Sequence, residues 1–211
     1  MIRIPKYTLK EELINSISHG IGAILSIVGL ILLVIKANSI NSIVSVCLYG
    51  SFMIILYTIS CIYHALSPKI TGKKVLRVID HCNVLLMVAG TYMPICLSLL
   101  YGKLGWITFI IVWLITIIGI VFNAINVDKY SLLSVICNLL LGWGSLFLIN
   151  PMISLVPLKG IIYLILGGVI YTIGSILYGL GKRIKYMHSI FHFMVLLGSL
   201  FQFIFIYYYC I

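Results

Sequence analysis

Seven apolar runs, each about as long as a helix that crosses a bilayer, take up nearly all of this 211-residue chain. They lie at about 17–35, 42–64, 78–100, 104–124, 130–149, 160–180 and 186–209. The hydrocarbon core of a membrane is ~30 Å thick and a helix rises ~1.5 Å per residue, so about 20 apolar residues span it. No water reaches that layer, so each backbone N–H and C=O must pair within a helix or around a closed barrel. Barrel strands alternate apolar and polar positions, whereas these runs are unbroken, and that demands helices. The expected fold is all-α, a polytopic membrane protein built as a seven-helix transmembrane bundle. Residues 1–16, with Arg3, Lys6, Lys10, Glu11 and Glu12, read as an interfacial N-terminal segment, and residues 17–211 as the transmembrane domain.

The charge pattern sets an orientation. Only 9% of residues are charged, against roughly 25% in a soluble domain. The net charge of +10 raises the question of nucleic acid, but the 14 Lys and Arg sit in short loops rather than on one amphipathic face, so no nucleic-acid partner is expected. The N-terminus and the loops after runs two, four and six hold Arg3, Lys6, Lys10, Lys69, Lys73, Lys74, Arg77, Lys129, Lys182, Arg183 and Lys185, whereas the other side holds Lys36, Lys103 and Lys159. That split predicts a cytoplasmic N-terminus, an outer C-terminus and a place in the cell membrane. Ala37-Asn38-Ser39 is a poor cleavage pattern, so no signal peptide is expected. Cys47, Cys61, Cys82, Cys96, Cys137 and Cys210 form no C-x-x-C pair and read as reduced, with Cys61 and Cys82 as alternative thiolate ligands near the polar cluster. Pro68 is read as stopping run two, Pro94 as kinking run three, and Pro151 and Pro157 as lying in the loop after run five. Gly167, Gly168 and Gly174 are read as points of close helix approach in run six.

His188 and His192 stand four residues apart at the head of the last run, so their rings project from one helical face. That spacing suits two imidazoles on one metal ion, and an ionisable group within a membrane marks a candidate functional site. In the predicted orientation His64 ends run two, Asp80 opens run three and the histidine pair opens run seven, so all four lie toward the cytoplasmic side. Three neutral imidazoles leave the fourth position of a tetrahedral zinc site to water, as in catalytic rather than closed structural sites. Asp80, read as the only acidic residue inside a span, suits a general base that also offsets the metal's charge. Ser60, one turn deeper than His64, suits a group that fixes the water or a substrate carbonyl. His81 follows Asp80 directly and points about 100° away around the helix. His19, with Glu11, Glu12 and Asn15, is assigned to the entrance of helix one, or to hydrogen-bonding a ligand.

Each residue also has a plainer reading. His64 alone suits a headgroup contact, Asp80 alone an ion pair with Arg77, and His188 with His192 a proton relay or packing. Haem is disfavoured, because neighbouring histidines on one helix cannot reach opposite faces of the macrocycle, although one of them could pair with His64.

The motifs together resemble those of the hemolysin III family, the bacterial branch of the progestin and adipoQ receptor group. The resemblance is carried by Glu11-Glu12-x-x-Asn15-x-x-x-His19-x-x-Gly22, by Ser60-x-x-x-His64, by Arg77-x-x-Asp80-His81 with Ala89-Gly90-Thr91-Tyr92-x-Pro94, and by His188-x-x-x-His192. It implies seven helices, a cytoplasmic N-terminus and a zinc ion held by His64, His188 and His192, with Asp80 and Ser60 at the positions that complete its surroundings. It also places the chain near alkaline ceramidases. The expected activity is zinc-dependent hydrolysis of a membrane lipid amide or ester. The alternatives are a non-enzymatic sensor, receptor-like or channel-like protein with structural zinc, and an ion or proton pathway.

Overall fold

Two capping boxes start the first two helices. Thr8 Oγ1 accepts from the Glu11 N–H at 3.3 Å while a Glu11 carboxylate oxygen accepts from the Thr8 N–H at 2.8 Å. Ser39 and Ser42 make the same reciprocal pair at 3.2 and 3.0 Å. Each box satisfies N–H groups that the first helical turn leaves without partners. The computed structural model describes residues 4–211, so Arg3 of the charge count lies outside it. The described residues form seven helices long and apolar enough to cross a membrane: α1 (Leu9–Lys36), α2 (Ile40–Ala65), α3 (Gly72–Leu99), α4 (Lys103–Asn126), α5 (Ser131–Ile153), α6 (Leu158–Leu180) and α7 (Met187–Tyr209). No strand occurs among them. The chain is a multi-pass, all-α membrane protein.

Two departures from the apolar pattern have identifiable reasons, and run three continues through Pro94 as expected. α1 begins at Leu9 rather than near 17, because the Thr8 box nucleates a helix before the apolar run begins, and Glu11, Glu12 and Asn15 become helical. α3 passes through Pro94 and widens into a π-helical turn over Ile95–Leu99, closed by Leu100 N–H donating to Ile95 O at 2.8 Å. Proline removes one donor from the α ladder, and the wider turn restores pairing beyond it. α5 continues past 149 through a 3₁₀ turn at Ser145–Leu148, so Pro151 falls in the first turn of the resumed α segment Ile149–Ile153, where its missing N–H costs nothing. Asn126 Oδ1 accepts from the N–H groups of Asp128 and Lys129 and turns the chain between α4 and α5.

Sequential helices pack side by side, α7 returns to α1, and α3 is the most enclosed, touching α2, α4 and α5. Isoleucines and leucines outside the ring, such as Ile24, Ile35, Ile110 and Ile176, face the hydrocarbon. Inside, hydroxyl and amide groups link the helices. Tyr57 on α2 donates to Ser199 Oγ on α7 at 2.6 Å, Tyr171 on α6 meets the same hydroxyl at 2.9 Å, and Asn123 on α4 donates to Ser134 Oγ on α5 at 3.0 Å. At the far end the Lys36 ammonium donates to Tyr207 O, tying the end of α1 to the end of α7. Of the three α6 glycines singled out from sequence, Gly167 and Gly174 are close-approach points: a Cβ on Gly167 would lie 2.4 Å from Gln202 Nε2, and one on Gly174 3.2 Å from Met194 Cβ. Gly168 faces open space, with nothing within 4 Å.

Candidate metal centre

α2 and α7 deliver the histidines from opposite chain directions. α2 ends one residue after His64, where Leu66 turns extended ahead of Pro68, so the ring emerges from the last turn at one end of the bundle. α7 starts at the same end after Tyr186, the only non-glycine described residue in the left-handed region (φ 65°). That turn folds the preceding loop back so closely that a Cβ on Gly181 would lie 2.8 Å from the His188 nitrogen. His64, His188 and His192 are all buried.

Each of the three rings offers one nitrogen, and these lie within 4.8 Å of one another; His188 Nε2 and His192 Nε2 are 3.2 Å apart. Nitrogens bound to one tetrahedral zinc at 2.0–2.1 Å are separated by about 3.4 Å, so the group needs only small movements to surround an ion. The buried His64 Nε2, His188 Nδ1 and His192 Nδ1 have no protein partner. His64 Nδ1 is engaged by Glu12 Oε2 at 2.5 Å, which leaves Nε2 as its free coordinating atom. The facing His188 and His192 Nε2 atoms and the unpartnered His64 Nε2 suit a cation, and these three residues could bind a metal.

Asp80 meets this group on its His188 side. It lines, with His188, His81 and Tyr178, a cavity of about 80 Å³ whose wall continues along Ser134 and Asn138 of α5 and Ser175 of α6. With His188 it also lines a chamber of about 510 Å³ that includes Tyr7, Tyr63 and Lys182. The alternative pairing with Arg77 is corrected: Arg77 bonds Asp128 at 2.8 Å, and an Asp80 oxygen lies 3.8 Å from His81 Nδ1. Ser60 is buried one turn before His64 on α2. His81 lines both cavities beside Asp80 but is not among the three grouped imidazoles, and its Nε2 meets Tyr178 OH at 3.1 Å. All six cysteines are free, and neither Cys61 nor Cys82 joins the cluster: Cys61 Sγ meets Ser16 Oγ at 3.4 Å, and Cys82 Sγ approaches Ile120 O.

α1 supplies what the sequence pattern did not assign. Asp80 is not the only acidic residue in a span, because Glu11 and Glu12 lie in the opening turns of α1. Glu12 joins His64 Nδ1 to the fully buried Lys73, whose ammonium donates to Glu12 Oε1 at 2.6 Å and to Leu66 O at 2.7 Å. Asn15 Nδ2 lies 3.4 Å from the same His64 nitrogen. The His19 ring lies 3.9 Å from that of His192, so this α1 histidine packs directly against the cluster. Tyr7, ahead of α1, stacks on His188 at 4.8 Å, and burial pushes its phenol well above the usual range, so it stays protonated. The early helix start was readable from Thr8-x-x-Glu11, which is a capping-box pattern.

Comparison with known proteins gives the family. The haemolysin-III-related family matches residues 7–203. "Hemolysin-3 homolog" of Bacillus subtilis (strain 168) is 38% identical over 208 residues, covering 97% of each chain. "Hemolysin-3" of Bacillus cereus is 36% identical over 207 residues, covering 96% of this chain and 93% of its own. The human "Monocyte to macrophage differentiation factor" is 24% identical over 201 residues, covering 90% of this chain and 80% of its own. No solved structure matches the chain. With the family's signature spanning α1 to α7 and two such relatives aligned almost end to end, the chain belongs to the hemolysin III family of membrane proteins.

Proposed function

We propose that this protein is a zinc-dependent hydrolase of a membrane lipid amide or ester, with its N-terminus and metal centre on the cytoplasmic side. The observation that carries the reading is the convergence of three buried imidazoles with a cavity that Asp80 shares with His188 and that follows α5 and α6 into the span region. His64, His188 and His192 would hold the zinc. When bound, zinc polarises a carbonyl and makes water a competent nucleophile near neutral pH. Asp80 takes the proton from the attacking water on a carboxylate oxygen and returns it to the leaving amine or alcohol as the carbonyl C–N or C–O bond breaks. Ser60 donates a hydrogen bond toward the substrate carbonyl. The cavity, where Val84, Val135 and Phe191 give apolar surface beside Ser134, Asn138 and Ser175, receives the acyl chain from the bilayer, and Tyr7 on His188 limits entry of bulk water.

The test is hydrolysis of a panel of lipid amides and esters by purified protein in lipid nanodiscs. Zinc removal should abolish turnover and zinc addition restore it, while Asp80→Asn should lose activity at unchanged metal content. Full turnover by a His188→Ala, His192→Ala double variant would refute the proposal. One observation favours a second reading, a non-enzymatic protein with structural zinc: Tyr7 and His19 lie against His188 and His192 and cover them. That reading is supported if zinc binds stoichiometrically and no lipid in the panel is cleaved.

A further inference from the structure

The first turns of α1 touch both helix ends that carry the histidines. Glu12 reaches the end of α2 and takes His64 Nδ1 at 2.5 Å. Glu11 reaches the start of α7, where its Oε1 accepts the N–H of Tyr186 at 2.8 Å, while Oε2 stays in the capping box with Thr8. Tyr186 holds the left-handed turn that sets the direction of α7, so this bond acts on the backbone from which His188 and His192 project. Glu12 is itself held by the Lys73 ammonium from α3.

We propose that the adjacent carboxylates Glu11 and Glu12 form a positioning clamp for the metal centre, Glu12 by orienting the His64 ring and Glu11 by fixing the start of α7. This rests on the reading of His64, His188 and His192 as metal ligands. A ligating histidine needs its second nitrogen bonded so that one tautomer and one ring orientation prevail, and a carboxylate in that role also raises the basicity of the coordinating nitrogen. Among the three rings, His64 is the one whose distal nitrogen has a protein carboxylate, because His188 Nδ1 and His192 Nδ1 have no protein partner. The α7 pair therefore depends on its backbone for placement, which is where Glu11 acts. Glu11 and Glu12 are positioning residues: neither is among the facing nitrogens, and each acts through a group it bonds.

The experiment measures zinc affinity by chelator competition, and the visible spectrum of the cobalt-loaded protein, for wild type, Glu12→Gln, Glu12→Asp and Glu11→Ala in nanodiscs. Glu12→Gln should bind zinc about 10–100-fold more weakly, Glu12→Asp should recover part of that loss, and Glu11→Ala should alter the cobalt spectrum. A measurement on the unaltered protein guards against misfolded variants: nitrogen NMR of histidine-labelled, zinc-loaded protein should show the His64 proton on Nδ1. Wild-type binding with unchanged affinity in Glu12→Gln, or a His64 proton on Nε2, overturns the clamp and leaves the metal centre standing. Absence of zinc binding by wild type overturns the metal centre itself, and the clamp with it.

Discussion

Zinc should raise the thermal stability of this protein, by an amount fixed by the ratio of its concentration to Kd. The nitrogens of His64, His188 and His192 already lie within 4.8 Å of one another, so binding recruits an assembled site and requires no refolding of the bundle. A ligand that binds only the folded state stabilises it by RT ln(1 + [L]/Kd), which is about 2.7 kcal/mol at 100 times Kd. For a chain of this size each kcal/mol moves the midpoint by roughly 2–4 °C, so saturating zinc should raise it by about 5–11 °C. His64→Ala removes one of the three grouped imidazoles and leaves the 3.2 Å His188–His192 pair. If affinity falls about 100-fold, the same zinc concentration equals Kd, and the gain drops to about 0.4 kcal/mol and roughly 1–2 °C. Thermal scans of purified protein in nanodiscs, with chelator and then with buffered zinc, read both values. An undiminished shift in a variant lacking all three histidines, or no shift in wild type, would refute the assignment of these rings to a metal.

Three further outcomes test the packing around the centre. Gly167→Ala should cost about 1–3 kcal/mol, since its Cβ would lie 2.4 Å from Gln202 Nε2, whereas Gly168→Ala meets nothing within 4 Å and should be neutral or slightly stabilising; unfolding in detergent mixtures compares the two. Lys73→Met removes a fully buried ammonium from Glu12 and Leu66 O and should cost about 3 kcal/mol, and a loss well under 1 kcal/mol in the same assay would mean that water replaces it. Tyr57→Phe should cost roughly 0.6–1 kcal/mol, because Ser199 keeps its bond to Tyr171; Ser199→Ala should cost more, since it removes the partner of both phenols, and the two substitutions should be non-additive.

The seven spans were legible because hydrocarbon imposes a single demand on them, unbroken apolar length, and the runs satisfy it from α1 to α7. Their ends were less legible, because hydrogen bonding sets the ends independently of apolarity. Pro151 looks like a break in a one-dimensional pattern, yet the helix continues past it through a 3₁₀ turn, and at Pro94, read as a kink, a π turn restores backbone pairing. Gly168 shows the same limit on side chains: its spacing from Gly167 says nothing about which of the two faces α7, and only helix rotation decides that.

The candidate site divides along the same line. His64, His188 and His192 could be grouped from sequence because helical spacing and common depth both constrain them, and Asp80 shares a cavity with His188, one of the three. Glu12 and His19 were legible as a motif without a destination. Their place follows from α1 beginning at Thr8: helical continuation from the capping box brings Glu12, Asn15 and His19 against His64 and His192. A chain whose apolar signal starts only near Ile17 thus commits its first two helical turns to polar contacts around the cluster, at a depth where an unpaired carboxylate is expensive. Lys73 meets that cost for Glu12, which is why a fully buried lysine on α3 accompanies an acidic residue on α1 and a histidine on α2.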